Sequence, residues 1–147
     1  MGTAMKAILA TLVIGVAAFL AGPSLWPPGA DVPHPPEQLL PAYMLLGAIE
    51  ALGFGLAVAF LLLAWPRVRA LPLGPAWLNR ALYVSVAWLL GNWWIHDGLH
   101  MNVGLDMHRL VYIEYAFHVT LLACGAVLAI GFLALAGTAA KKAPARR

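Results

Sequence analysis

Four apolar runs, separated by proline-rich, basic or glycine-punctuated joints, make up most of the chain. They cover residues 7–22, 42–65, 77–97 and 110–137. A bilayer core about 30 Å thick takes roughly 20 helical residues at about 1.5 Å each, so runs of this length and composition predict membrane-spanning helices. The expected fold is all-α: an integral membrane four-helix bundle, residues 1–137 forming one domain with a basic cytoplasmic tail at 138–147.

The joints fix where the helices break. Residues 23–41 carry prolines at 23, 27, 28, 33, 35, 36 and 41, which excludes a regular helix through the middle and predicts an external loop. Trp26 in this loop suits a membrane interface. Pro66 closes the second run, residues 66–76 form a short basic turn, and residues 98–109 form a second, glycine-containing loop. The first run follows Lys6 in the order of a secretory signal peptide, but a cut after Ala21 or Gly22 would place Phe19 or Leu20 at the third position back. An uncleaved first span is the expectation.

Composition agrees with a membrane protein. The chain is 63% hydrophobic and 10% charged, with mean hydropathy +0.83, too apolar for the surface of a soluble domain. The net charge of +3 does not point to nucleic acid, because the basic residues flank the apolar runs and act as topology signals. Lys6, Arg67, Arg69, Arg80, Lys141, Lys142, Arg146 and Arg147 fall on one side of a four-span chain, and Arg109 alone on the other. Both termini are therefore expected in the cytoplasm of a bacterial-type inner (plasma) membrane, with the 98–109 loop facing the periplasm or exterior. The single Cys124 excludes an intramolecular disulfide and paired-cysteine chemistry.

Against this apolar background the chemistry is concentrated in residues 92–118, which hold four of the five histidines. Asn92, His96 and His100 recur every fourth residue along the third span, and Glu114 and His118 do the same on the fourth, so each set shares a helical face. In the second span Gly47, Ala51 and Gly55 form a small-residue stripe for close helix approach. Glu50 lies on the side of Gly47 and Phe54, facing a neighbour. Counting the rise from Trp65, Trp77 and Gly137 puts Glu50 and Asn92 about 22 Å up, His96 and His118 about 28 Å, and His100 and Glu114 about 34 Å.

These layers predict a metal site near the outer face. Its candidate ligands are Glu50, His96, His100, Glu114 and His118, with Asn92, Asp97, Asp106, His108 and Tyr115 as hydrogen-bonding partners that orient the imidazoles. Imidazole with carboxylate suits zinc or iron, and Met44, Met101 and Met107 nearby add copper to the candidates. The spacing is neither the HExxH of zincins nor the ExxH of di-iron bundles, so the composition signal is stronger than the motif. A site of this kind would belong to a membrane metalloenzyme or to a metal-handling accessory subunit, working with the lipid bilayer and with other membrane subunits or further copies of itself.

Three other readings compete. His96 and His118, at one depth on facing helices, are a candidate axial pair for haem b in an electron-transfer protein. Glu50 is a candidate for proton coupling in a small transporter. The blandest reading is a structural subunit whose polar network fixes helix register. Trp93 and Trp94 read as interface anchors, with Trp65 and Trp77 marking the opposite belt, and His34 as a solvent-exposed loop residue.

Overall fold

A computed structural model describes residues 2–142, and over these the chain is all-α. Helix α1 spans Thr3–Leu25; a 3-10 turn at Glu37–Leu39 leads into α2, Leu40–Leu63. A single turn, α3 (Trp65–Val68), precedes α4 (Ala76–Val103) and α5 (Met107–Lys142). Three segments, Thr3–Leu25, Glu37–Leu63 and Met107–Ala140, are long and apolar enough to cross a membrane. Their outward surfaces are apolar too: Val13 and Leu20 on α1, Leu45 and Ile49 on α2, and Leu122 and Phe132 on α5 are all largely exposed. Such continuous apolar exposure marks a lipid-facing surface.

Helix α4 falls outside that set because of its polar residues, yet the protein covers three of them. Asn79, Ser85 and Asn92 are buried, Asn92 completely. Asn79 donates its side-chain amide to the carbonyls of Val68 (2.8 Å) and Leu71 (3.1 Å), tying the turn after α3 to the start of α4. The polarity of these three is spent inside the protein, not on the surface.

The helices pack in chain order, α1 on α2, α2 on α4 and α4 on α5. Among the described residues no comparable contact joins α5 to α1 or α2, so the architecture is an open row with α4 between two neighbours. The expected small-residue stripe makes the first of these seams. A Cβ on Gly55 would strike the backbone of Thr11 and Gly15, and one on Gly15 would meet Leu52 at 2.9 Å. The α2–α4 seam is equally tight, since a Cβ on Gly53 would lie 2.9 Å from the Leu90 carbonyl and one on Gly91 2.8 Å from Ala57.

Helix ends differ from the sequence-based boundaries in ways that matter for the site. Helix α4 does not stop at Asp97 but continues to Val103, and the connection to α5 shrinks to residues 104–106. Gly98, expected in a loop, lies within the helix, and the Trp26 ring covers it where a side chain would stand. The stop is Gly104, with φ +60°, a conformation that L side chains avoid. Asp106 then caps α5, its Oδ1 accepting from the backbone N–H of His108 (3.1 Å) and Arg109 (3.2 Å). At the other end α5 runs on past Gly137 to Lys142, and residues 143–147 of the expected tail lie outside the described residues.

Candidate metal centre

Two turns of α4 and two of α5 bring the cluster together. His96 and His100 sit one turn apart on α4, with ring centroids 4.4 Å apart, and face α5. From α5, Glu114 brings Oε1 to 2.9 Å from His100 Nε2 and Oε2 to 2.8 Å from Nδ1 of His118 on its own helix. His96 and His118 face each other with ring centroids 5.9 Å apart. Donor atoms of His96, His100 and Glu114 all lie within 4.8 Å of one another, close enough for one ion to bridge them.

His96 is the most constrained member. Asp97 Oδ1 lies 2.9 Å from its Nδ1, and Trp93 and Phe117 pack edgewise against its ring. An aspartate at Nδ1 favours the tautomer with the proton there and leaves Nε2 as a lone pair, the arrangement that prepares an imidazole for a metal. That Nε2 is buried and has no hydrogen-bond partner, an uncommon condition for a polar atom. His100 Nε2 is also buried and, although near Glu114, lacks the alignment of a hydrogen bond. Beneath the cluster, Trp88 stacks on Phe117 at 5.4 Å and donates its indole N–H to Thr120 Oγ1 (2.9 Å), which holds α4 and α5 in register.

Not every candidate residue joins this group. Glu50 lies across α4 from α5, with its carboxyl against that of Asp97, about a turn higher than the layer of Asn92. Trp65 and Trp77 do not mark a common boundary: Tyr83 packs at a tilt against Phe60 and Trp65 and donates to the Leu61 carbonyl, so α4 starts well below the end of α2. Asn92 donates to the carbonyls of Trp88 (2.7 Å) and Leu89 (3.2 Å) of its own helix, and its Oδ1 has no partner. Asp106 is used as the α5 cap and in an ion pair with Arg109 (3.2 Å), while His108 is exposed. Tyr115, one residue off the Glu114 face, is 69% exposed. Of the expected orienting partners, Asp97 alone touches the cluster.

Trp94 is the residue that sequence reading misplaced most. It does not anchor an outer surface; it turns inward, edge-on to Trp26 and against Phe54, each at 4.5 Å. Its alternation with the exposed Trp93 on a helix was the available signal. Met44 and Met107 are largely exposed, and Met101 lines a cavity described below. His34 is exposed in the loop, as expected.

Comparison with protein families, curated proteins and solved structures finds no match to this chain.

Proposed function

We propose that this is a four-span membrane protein that binds a divalent transition metal near its outer face through His96, His100 and Glu114, with His118 paired to Glu114 at the rim of the donor set. The observation that carries the reading is the convergence of three donors from two helices within 4.8 Å, one of them a buried Nε2 with no other partner. Two imidazoles and a carboxylate suit zinc or iron(II). The exposed methionines give copper less support. A haem between His96 and His118 would have to displace the rings of His100 and Phe117, 4.4 and 5.0 Å from His96, which weighs against it.

Three ligands from the chain leave a coordination place for water or a small molecule, where a metal acts as a Lewis acid or redox centre. Such a site fits a membrane metalloenzyme or a metal-handling subunit. Helix α4 is the fourth crossing on this reading, with Asn79, Ser85 and Asn92 buried against its neighbours, and the one-sided distribution of lysines and arginines along the sequence supports cytoplasmic termini in an inner membrane. Packing of α1 through Gly15 and Gly55 favours its retention as an integral helix.

A second reading has its own support. Glu114 already pairs with both His100 and His118, so the cluster can also serve as a structural network across the α4–α5 seam. Elemental analysis of protein purified after metal-supplemented growth, beside melting with and without chelator, separates the two. Bound metal whose removal lowers the melting temperature is the expected result; a metal-free protein indifferent to chelator leaves the network alone standing.

A further inference from the structure

On the other side of α4 from Glu114 lies an open cavity of about 680 Å³, bordered by the end of α1, the proline-rich loop, α2 and α4. Its volume is that of a small-molecule site, for which about 300–1,000 Å³ is usual. The walls are aromatic and apolar, with Trp26, Trp94, Tyr43 and Leu46 among them. The polar groups facing it are Glu50 from α2 and His96, Asp97 and His100 from α4; no lysine or arginine lines it.

The loop is fastened over this space. Gly29 N–H donates to the Met101 carbonyl (2.8 Å), Asn102 donates its amide to the Pro27 carbonyl (2.9 Å), and Leu105 N–H donates to Asp31 Oδ2 (2.8 Å). Trp26 is thereby held on Gly98 and edge-on to Trp94, so two indoles are fixed at one end of the cavity. A rigid aromatic wall prepared before a ligand arrives lowers the cost of ordering it.

We propose that this cavity binds a membrane-partitioning organic cation, its charge facing Glu50 and Asp97 and its apolar body against Trp26, Trp94 and Tyr43. The choice rests on complementarity. Two adjacent carboxyls with no lysine or arginine in the lining disfavour an anion and offer a cation more than a neutral molecule of the same shape. A bare metal ion would use the carboxyls but not the indoles, and Glu50 and Asp97 belong to no compact set of three donors among the described residues. An organic cation uses both, through ion pairing and attraction to the ring faces. The site stands apart from the metal cluster, although His96 and His100 border both.

Tetraphenylphosphonium and tetraphenylborate have the same shape and opposite charge, so they test this directly. Binding to the full chain in non-ionic detergent is measured by equilibrium dialysis against detergent alone, with melting temperature as the folding control. Saturable binding of tetraphenylphosphonium but not tetraphenylborate is expected, weakened about tenfold or more in Glu50→Gln. Trp26→Leu, which leaves the charges intact, should weaken it too and serves if the Glu50 variant does not fold. Glu114→Gln should lose metal while still binding the cation, so the two sites fail independently. Equal binding of both ions, no saturable binding of tetraphenylphosphonium, or undiminished binding in both Glu50→Gln and Trp26→Leu overturns the proposal.

Discussion

His100 and Glu114 meet across the α4–α5 seam, Nε2 to Oε1 at 2.9 Å, and they are the point at which two otherwise separate polar stripes become one cluster. Glu114 then passes the connection to His118 through its other oxygen, at 2.8 Å. A carboxylate shared in this way sits at the centre of the donor set, whereas His118 sits at its rim with its side chain 56% exposed.

That difference ranks the ligands. Glu114→Gln replaces a charged oxygen by a poorer, neutral one and should remove most of the bound metal. His96→Ala should do the same, since it deletes the buried, unpartnered Nε2. His118→Ala should keep stoichiometric metal at high concentration but bind it about 10–100-fold more weakly. Metal content after dialysis against graded chelator measures all three. Equal and total loss in His118→Ala would make it a full member of the donor set.

Small residues at the α1–α2 crossing yield a stability prediction. Gly55→Val puts branched carbons where the backbone of Thr11 and Gly15 passes, and should cost about 1–3 kcal/mol through forced separation of the helices. Gly125→Val, in open space on α5, should cost far less. Denaturant titration in detergent compares them, and equal midpoints would mean that the crossing is looser than drawn.

How much of this was legible beforehand depended on which physical signal each feature leaves in a sequence. Apolar run length located the helices, and the four-residue spacing of His96 with His100 and of Glu114 with His118 was enough to expect that the two stripes would meet. The partner order was not legible. Helices apolar on all sides carry no stripe to show which neighbour they face, so an open row and a closed bundle read alike. The end of α4 was misread because Gly98 looks like a stop, and only Trp26, distant in sequence, shows why a glycine is needed inside the helix. Glu50 was placed a turn too low because depth was counted from tryptophans that do not share a plane.

The distribution of basic residues predicts sidedness. With eight of the nine lysines and arginines in segments that a four-span chain puts on one side, Leu105, 64% exposed in the connection between α4 and α5, should face outward. In a Cys124→Ser background, Leu105→Cys should react with a membrane-impermeant maleimide in intact cells, and a reporter fused after Arg147 should work only if it is active in the cytoplasm. Labelling of Leu105→Cys only after lysis would invert the protein and turn the cluster inward.

Asp97 sits between the two sites, and its substitution should reach both by different routes. Its Oδ1 holds His96 Nδ1 at 2.9 Å, so Asp97→Asn weakens the orientation of the imidazole without removing a metal donor. Loss of such an orienting carboxylate typically lowers metal affinity about 10–100-fold. The same change takes one negative charge from the cavity side, where Asp97 lies against Glu50. Glu50→Gln removes a charge there too, but leaves the bond to His96 in place. Metal affinity should therefore fall in Asp97→Asn and hold in Glu50→Gln, as read by chelator competition on the two proteins at equal folded fraction. A fall of the same size in both variants would mean that Glu50 is itself a metal ligand, and that the cavity and the cluster form one site.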